Sequence, residues 1–131
     1  MSDPRSYVAA PPEILARHLA KLEDLFVRME NAYNEVAAAY GFNCTGCEDN
    51  CCLTRFYHHT LLEYLYLYRG FRQLSGEERI RLQAAAVRVN AAAAAAGDQG
   101  EPVRIMCPLN IDGRCSLYGH RPMICRLHGV P

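Results

Sequence analysis

Four of the chain's seven cysteines fall inside nine residues, at Cys44, Cys47, Cys51 and Cys52. The other three, Cys107, Cys115 and Cys125, lie in one C-terminal run, and the 54 residues between the two groups contain none. A thiol binds zinc or iron as its thiolate, and the charge of the metal holds several such anions together against their mutual repulsion. Cys44-x2-Cys47 is a short chelating loop of the kind found at zinc and iron–sulfur sites, with Gly46 relieving backbone crowding between the two sulfurs. One such pair is a weak signal. Followed at once by Cys51-Cys52, and later by three more cysteines around a predicted hairpin, it points to a thiolate metal site assembled from two distant segments.

The adjacent pair constrains that site. Neighbouring side chains on an extended backbone point opposite ways, so Cys51 and Cys52 do not easily share one tetrahedral ion. Either they serve two centres, or one ligates while the other is buried beside it, or both touch a multinuclear cluster. Seven thiolates also exceed the four that a single structural zinc or a single cubane cluster takes from protein. Two metal centres, sharing a bridging sulfur or recruiting a histidine, fit the count best. His58 and His59 follow Cys52, and His128 lies three residues past Cys125, so each is a candidate to complete a coordination sphere. His128 is the first of these to test; capping, hydrogen bonding or simple exposure is the ordinary alternative for all three. Glu48 and Asp112 offer hard oxygen amid soft sulfur, and loop or turn roles suit them better. Arg55, Arg114, Arg121 and Arg126 flank cysteines and have N–H groups to donate to the sulfurs, which would tune the charge and potential of a centre.

The elements that must position these residues read as mainly α: a small helical bundle with a long N-terminal helix, and a cysteine-rich metal-binding loop with a short hairpin region. Residues 1–11 form a flexible arm and 12–131 a single domain. Pro11-Pro12 opens the long helix. Leu15, Leu22, Met29 and Val36 recur every seven residues, with Leu19, Phe26, Tyr33 and Tyr40 between them, and Gly41 is a natural stop. The stripe serves either as a core face or as a seam for a second copy of the chain; the irregular charges beside it favour the core face and leave a homodimer open. After the cysteine loop, Leu53 to His59 is assigned a short extended piece. Thr60-Leu61-Leu62-Glu63 is a capping box starting a helix to about Leu74, and Ser75-Gly76-Glu77-Glu78 is a second, starting a helix that ends at Gly97. Tyr57, Tyr64, Tyr66 and Tyr68 read as core rings with wetted hydroxyls, and Arg79, Arg81 and Arg88 as a solvated polar face. Val103 to Met106 alternates as a short strand leading into Cys107. The Asp112-Gly113 turn then folds Cys107 and Cys115 back toward each other, and Arg121-Pro122 marks a turn or a short helix that brings in Cys125.

Composition narrows the function classes. With a formal net charge of zero and half of its residues apolar, the chain fits neither disorder nor a strongly basic nucleic-acid binder. No apolar run reaches the roughly 18 residues of a membrane helix, and Met1-Ser2-Asp3-Pro4-Arg5 lacks a secretory pattern, so a cytoplasmic location without membrane contact is expected. In a reducing compartment clustered cysteines serve metal or redox chemistry more often than disulfides, and an odd number suits a paired framework poorly.

Cys44-x2-Cys47-x3-Cys51-Cys52, Cys107-Pro108-Leu109, Gly113-Arg114-Cys115-Ser116-Leu117-Tyr118 and Arg121-Pro122-x2-Cys125-Arg126 together resemble the bacterial zinc- or iron-chelating cysteine-cluster family, the YkgJ-like proteins. The resemblance covers about 30 residues. It implies that Cys44, Cys47, Cys51, Cys52, Cys107, Cys115 and Cys125 are all candidate metal ligands. One related branch, the flagellin lysine methylases, is similar in using such a cluster as an iron–sulfur centre, but this chain lacks the extra length expected of such an enzyme. Many relatives carry an eighth cysteine beyond this end, whereas here only six residues follow Cys125. A ligand supplied by His128, or a longer chain, would account for the departure.

The function expected is therefore metal binding, by zinc or by iron in an iron–sulfur centre, with the protein partner unspecified. An iron–sulfur redox or electron-transfer module, or the accessory part of an iron–sulfur enzyme, is the alternative. A thiol-disulfide oxidoreductase is weaker, because Cys44 and Cys47 do not open a helix in a βαβ setting. No paired carboxylates, nucleophile with base, or phosphate loop supports an ordinary hydrolase or kinase, which favours a non-catalytic role.

Overall fold

Prolines at 11 and 12 fix the backbone where a helix begins, and the chain continues from there as one uninterrupted 29-residue helix, α1 (Pro12–Tyr40). At about 1.5 Å per residue it is roughly 43 Å long. Gly41 ends it at φ 67°, a left-handed conformation that costs glycine little, and its N–H returns to the carbonyls of Ala37 and Ala38. The computed structural model describes residues 11–41, 51–53, 60–96 and 105–128, apart from the side chain of Cys51. Residues 1–10 of the expected N-terminal arm lie outside these residues.

Both expected capping boxes form. Thr60 Oγ1 accepts the Glu63 N–H at 3.1 Å and donates to the Glu63 carboxylate at 2.9 Å, starting α2 (Leu61–Gln73). Ser75 Oγ accepts the Glu78 N–H at 3.2 Å while the Glu78 carboxylate accepts the Ser75 N–H at 3.0 Å, starting α3 (Gly76–Ala96). These hydrogen bonds hold the Glu78 carboxyl below its ordinary pKa.

The core is the stripe of α1 set against α2. Leu19, Leu22 and Phe26 pack with Tyr66, and Leu15, Met29 and Leu62 border them. Phe26, only 2% exposed, meets the Tyr66 ring edge-on at 5.6 Å between centroids. Burying each such side chain stabilises the fold by about 1.5–3 kcal/mol. The stripe stops being core before it stops being helix: Ala37 is buried, but Tyr40 is 72% exposed and Val36 is exposed too. Only Leu82 and Ala85 of α3 are buried, and Ile80 and Val87 face outward.

The C-terminal region is short and tightly turned. Strand β1 (Asn110–Ile111) pairs antiparallel with β2 (Arg114–Cys115), joined by Asp112 and Gly113 at φ 52° and 86°. Two positive φ values in succession define the type I′ turn that Asp-Gly favours, and Asn110 Oδ1 accepts the Gly113 N–H at 3.1 Å. A 3₁₀ turn (Tyr118–His120) comes next, and then a one-turn helix, α4 (Met123–Arg126). Helix α1 packs on both α2 and α4, and α2 packs on the 3₁₀ turn.

Three expectations need correction or limits. Ile105 and Met106 are not strand, because the chain turns at once, with the Asn110 N–H reaching the Cys107 carbonyl at 3.0 Å; Val103 and Arg104 lie outside the described residues. The hairpin opposes Cys115 to Asn110 and not to Cys107. Leu53 closes a 3₁₀ turn (Cys51–Leu53) and is not extended; residues 54–59 lie outside the described residues.

Candidate metal centre

The two cysteine segments meet backbone to backbone. The Cys107 N–H donates to the Cys52 carbonyl at 2.7 Å, joining the 3₁₀ turn at the end of the first cluster to the turn that opens the second. Cys52, Cys107, Cys115 and Cys125 are all partly buried. Cys115 stands on β2, held alongside the Cys107 turn by the Ser116 N–H bonding to the Leu109 carbonyl at 2.7 Å. Cys125 sits in α4, where its N–H bonds to the Pro122 carbonyl. His128 lies one turn further on, partly buried, and its carbonyl accepts the Tyr33 hydroxyl at 2.8 Å from α1. Cys125 and His128 line one cleft.

Among the described residues, no three His, Cys, Asp or Glu side chains come together as a metal-binding group. Cys44, Cys47, Glu48, His58, His59 and Arg55 lie outside the described residues, as does the side chain of Cys51. The donors that can be placed are soft, partly buried sulfurs on two joined segments, a set that suits zinc or iron in type. Asp112 is exposed in the hairpin turn with positive φ, so its role there is conformational.

Three arginines beside the C-terminal cysteines build the segment. Arg126, 7% exposed, donates from Nε to the Arg121 carbonyl and from an Nη to the Gly119 carbonyl, each at 2.7 Å. Its guanidinium lies over the Phe26 ring at 4.1 Å, and its other Nη faces Glu30 of α1 at 3.9 Å. Burial, and next the charge of Arg121, lower its pKa. Arg121, 8% exposed, donates from Nε to the Tyr118 carbonyl at 2.9 Å and lies 3.7 Å above the Tyr118 ring, with Arg114 at 4.9 Å from the same ring. Arg121 and Arg126 therefore direct these donors at backbone carbonyls, pinning the loop that carries Cys125.

Glu63 does comparable work from α2. It is 4% exposed, and besides closing its own capping box it accepts the Met123 N–H at 2.8 Å, supplying α4 with an N-terminal cap from 60 residues away. His120 fits into the notch at Gly70, with its ring 4.7 Å from Tyr66 between centroids. Burial raises the Tyr66 pKa, with Glu23 adding to it, and burial lowers that of His120. The capping box marked Glu63 only as a local residue, and nothing in the sequence marked His120 or Gly70, because both contacts cross the chain. Among known proteins, no family model matches this chain, and no curated protein and no solved structure matches it.

Proposed function

We propose that this chain is a metal-binding protein whose thiolates come from both cysteine segments. Cys44, Cys47, Cys51 and Cys52 supply one half of the donor set, and Cys107, Cys115 and Cys125 supply the other, with His128 as the candidate nitrogen ligand. The observation that carries this reading is the 2.7 Å bond from the Cys107 N–H to the Cys52 carbonyl. It sets the first residue of one cysteine segment beside the last residue of the other, which a shared site requires and a merely cysteine-rich chain does not. The metal is zinc or iron in an iron–sulfur centre. A surplus of thiolates over the four that one centre takes from protein supports more than one metal. Zinc would tie the segments together, and an iron–sulfur centre would add one-electron chemistry. The motif resemblance to the YkgJ-like family and the clustered thiols both fit a reducing, cytoplasmic setting.

A metal holding two segments is part of the folding energy of both, so its removal must loosen them. Amide hydrogen exchange before and after anaerobic chelation tests this. Faster exchange across residues 105–128, with the α1 core still protected, is the expected result. Unchanged exchange in that region after metal removal would contradict the proposal. Broad visible absorption with bound sulfide identifies the iron–sulfur form, and colourless protein with zinc identifies the other.

A further inference from the structure

Among the described residues, the cleft between α1 and the C-terminal segment sets two guanidinium groups against one carboxylate. Arg121 and Arg126 both line it, and both are more than nine-tenths buried. Among the described residues, the carboxylate that lines it with them is Glu30, half exposed and 3.9 Å from the nearest Arg126 nitrogen, too far for a hydrogen bond. Among the described residues, Arg121 makes one side-chain hydrogen bond, from Nε, so the Nη groups of its guanidinium keep their donors. Stacking on Tyr118 holds that guanidinium flat and in place. A buried cation is costly unless an anion or a set of acceptors faces it.

We propose that this cleft binds a compact oxyanion of the phosphate type, held by Arg121 and Arg126. Arginine presents planar, paired N–H groups that match phosphate oxygens. Asn34, also in the lining, adds a neutral amide donor. Free space of about 30 Å³, room for roughly two water molecules and open to solvent, suits a small ligand. Glu30 is the element that limits affinity, because its carboxylate repels the ligand from the edge of the same cleft. Cys125 and His128 line the same cleft, but the anion is held by the guanidinium groups and not by the sulfur of Cys125.

Calorimetric titration of inorganic phosphate into the full chain as purified, with ionic strength held constant by chloride, tests it. Saturable binding of one phosphate is expected. Glu30→Gln should tighten it by at least about threefold, since a like charge is removed, and Arg121→Gln should weaken it by about tenfold or more, since a charge-assisted donor pair is lost. Should Arg121→Gln fail to fold, Glu30→Gln still decides, because it removes only a half-exposed carboxylate. Absence of saturable binding, or phosphate binding that Glu30→Gln leaves unchanged or weakens, overturns the proposal; phosphate captured by a metal instead would give that second result.

Discussion

Cys107 donates its backbone N–H to the carbonyl of Cys52 at 2.7 Å, across 54 intervening residues that contain no cysteine. Helices α2 and α3 fill most of that gap, so the contact is made by the tertiary fold and not by chain proximity. If both residues serve one shared site, removing either sulfur should empty it. Cys52→Ser and Cys107→Ser are each expected to lower bound metal per chain by about half or more while leaving the helical circular dichroism of α1 and α2 in place. Metal content unchanged in both variants would rule out a site shared by these two residues.

Gly70 faces His120 with no room for a side chain. A Cβ built there would stand 2.5 Å from His120 Cγ and 2.7 Å from Nδ1. Gly70→Ala should therefore destabilise by about 1–3 kcal/mol, read as a lower denaturant midpoint. Gly76, at the start of α3, has nothing within 4 Å of such a carbon, so Gly76→Ala is the control, expected to lie within about 0.5 kcal/mol of wild type.

Glu63 holds α4 to α2. Glu63→Ala removes the acceptor from the Met123 N–H and half of the Thr60 capping box, and should cost about 3 kcal/mol. Glu63→Gln keeps one acceptor of the same shape and should cost less. Equal losses in the two variants, measured by urea unfolding, would show that the carboxylate matters for its charge and not for the bond it accepts.

The His120 ring couples this packing to pH. Burial chiefly, and the charge of Arg69 next, hold its pKa below the ordinary 6.5, against an opposing pull from Glu23. The unfolded chain thus binds the proton more readily than the folded one. The contribution of neutral His120 is complete above about pH 6.5 and is lost as pH falls toward its folded-state pKa, so stability should drop on acidification across that window. His120→Gln should flatten that part of the stability profile; an unaltered slope would assign it to other groups.

The features legible in the sequence were local. Thr60 with Glu63, Ser75 with Glu78, Gly41 after its helix and Asp112 with Gly113 each act within four residues, and each forms the cap or turn its residue types demand. Alternation over Val103 to Met106 failed as a strand signal where it can be checked, because four residues do not separate a strand from an irregular approach to a turn. The α1 stripe ran past its partner: Val36 and Tyr40 keep the period but meet no core. The buried arginines, the Glu63 cap on α4 and the Gly70 notch were illegible because each depends on residues brought together from far along the chain. For the candidate site, the proposed metal chemistry rests on the cysteine spacing, while the meeting of Cys52 with Cys107 is a tertiary contact that spacing does not show.

Elemental analysis of anaerobically purified wild-type chain shows whether the cysteine segments hold metal. At least about one equivalent of zinc or iron per chain, retained through gel filtration, is the expected result. Protein that is folded, monodisperse and free of both metals, and that takes up neither zinc nor reconstituted iron and sulfide, would contradict it.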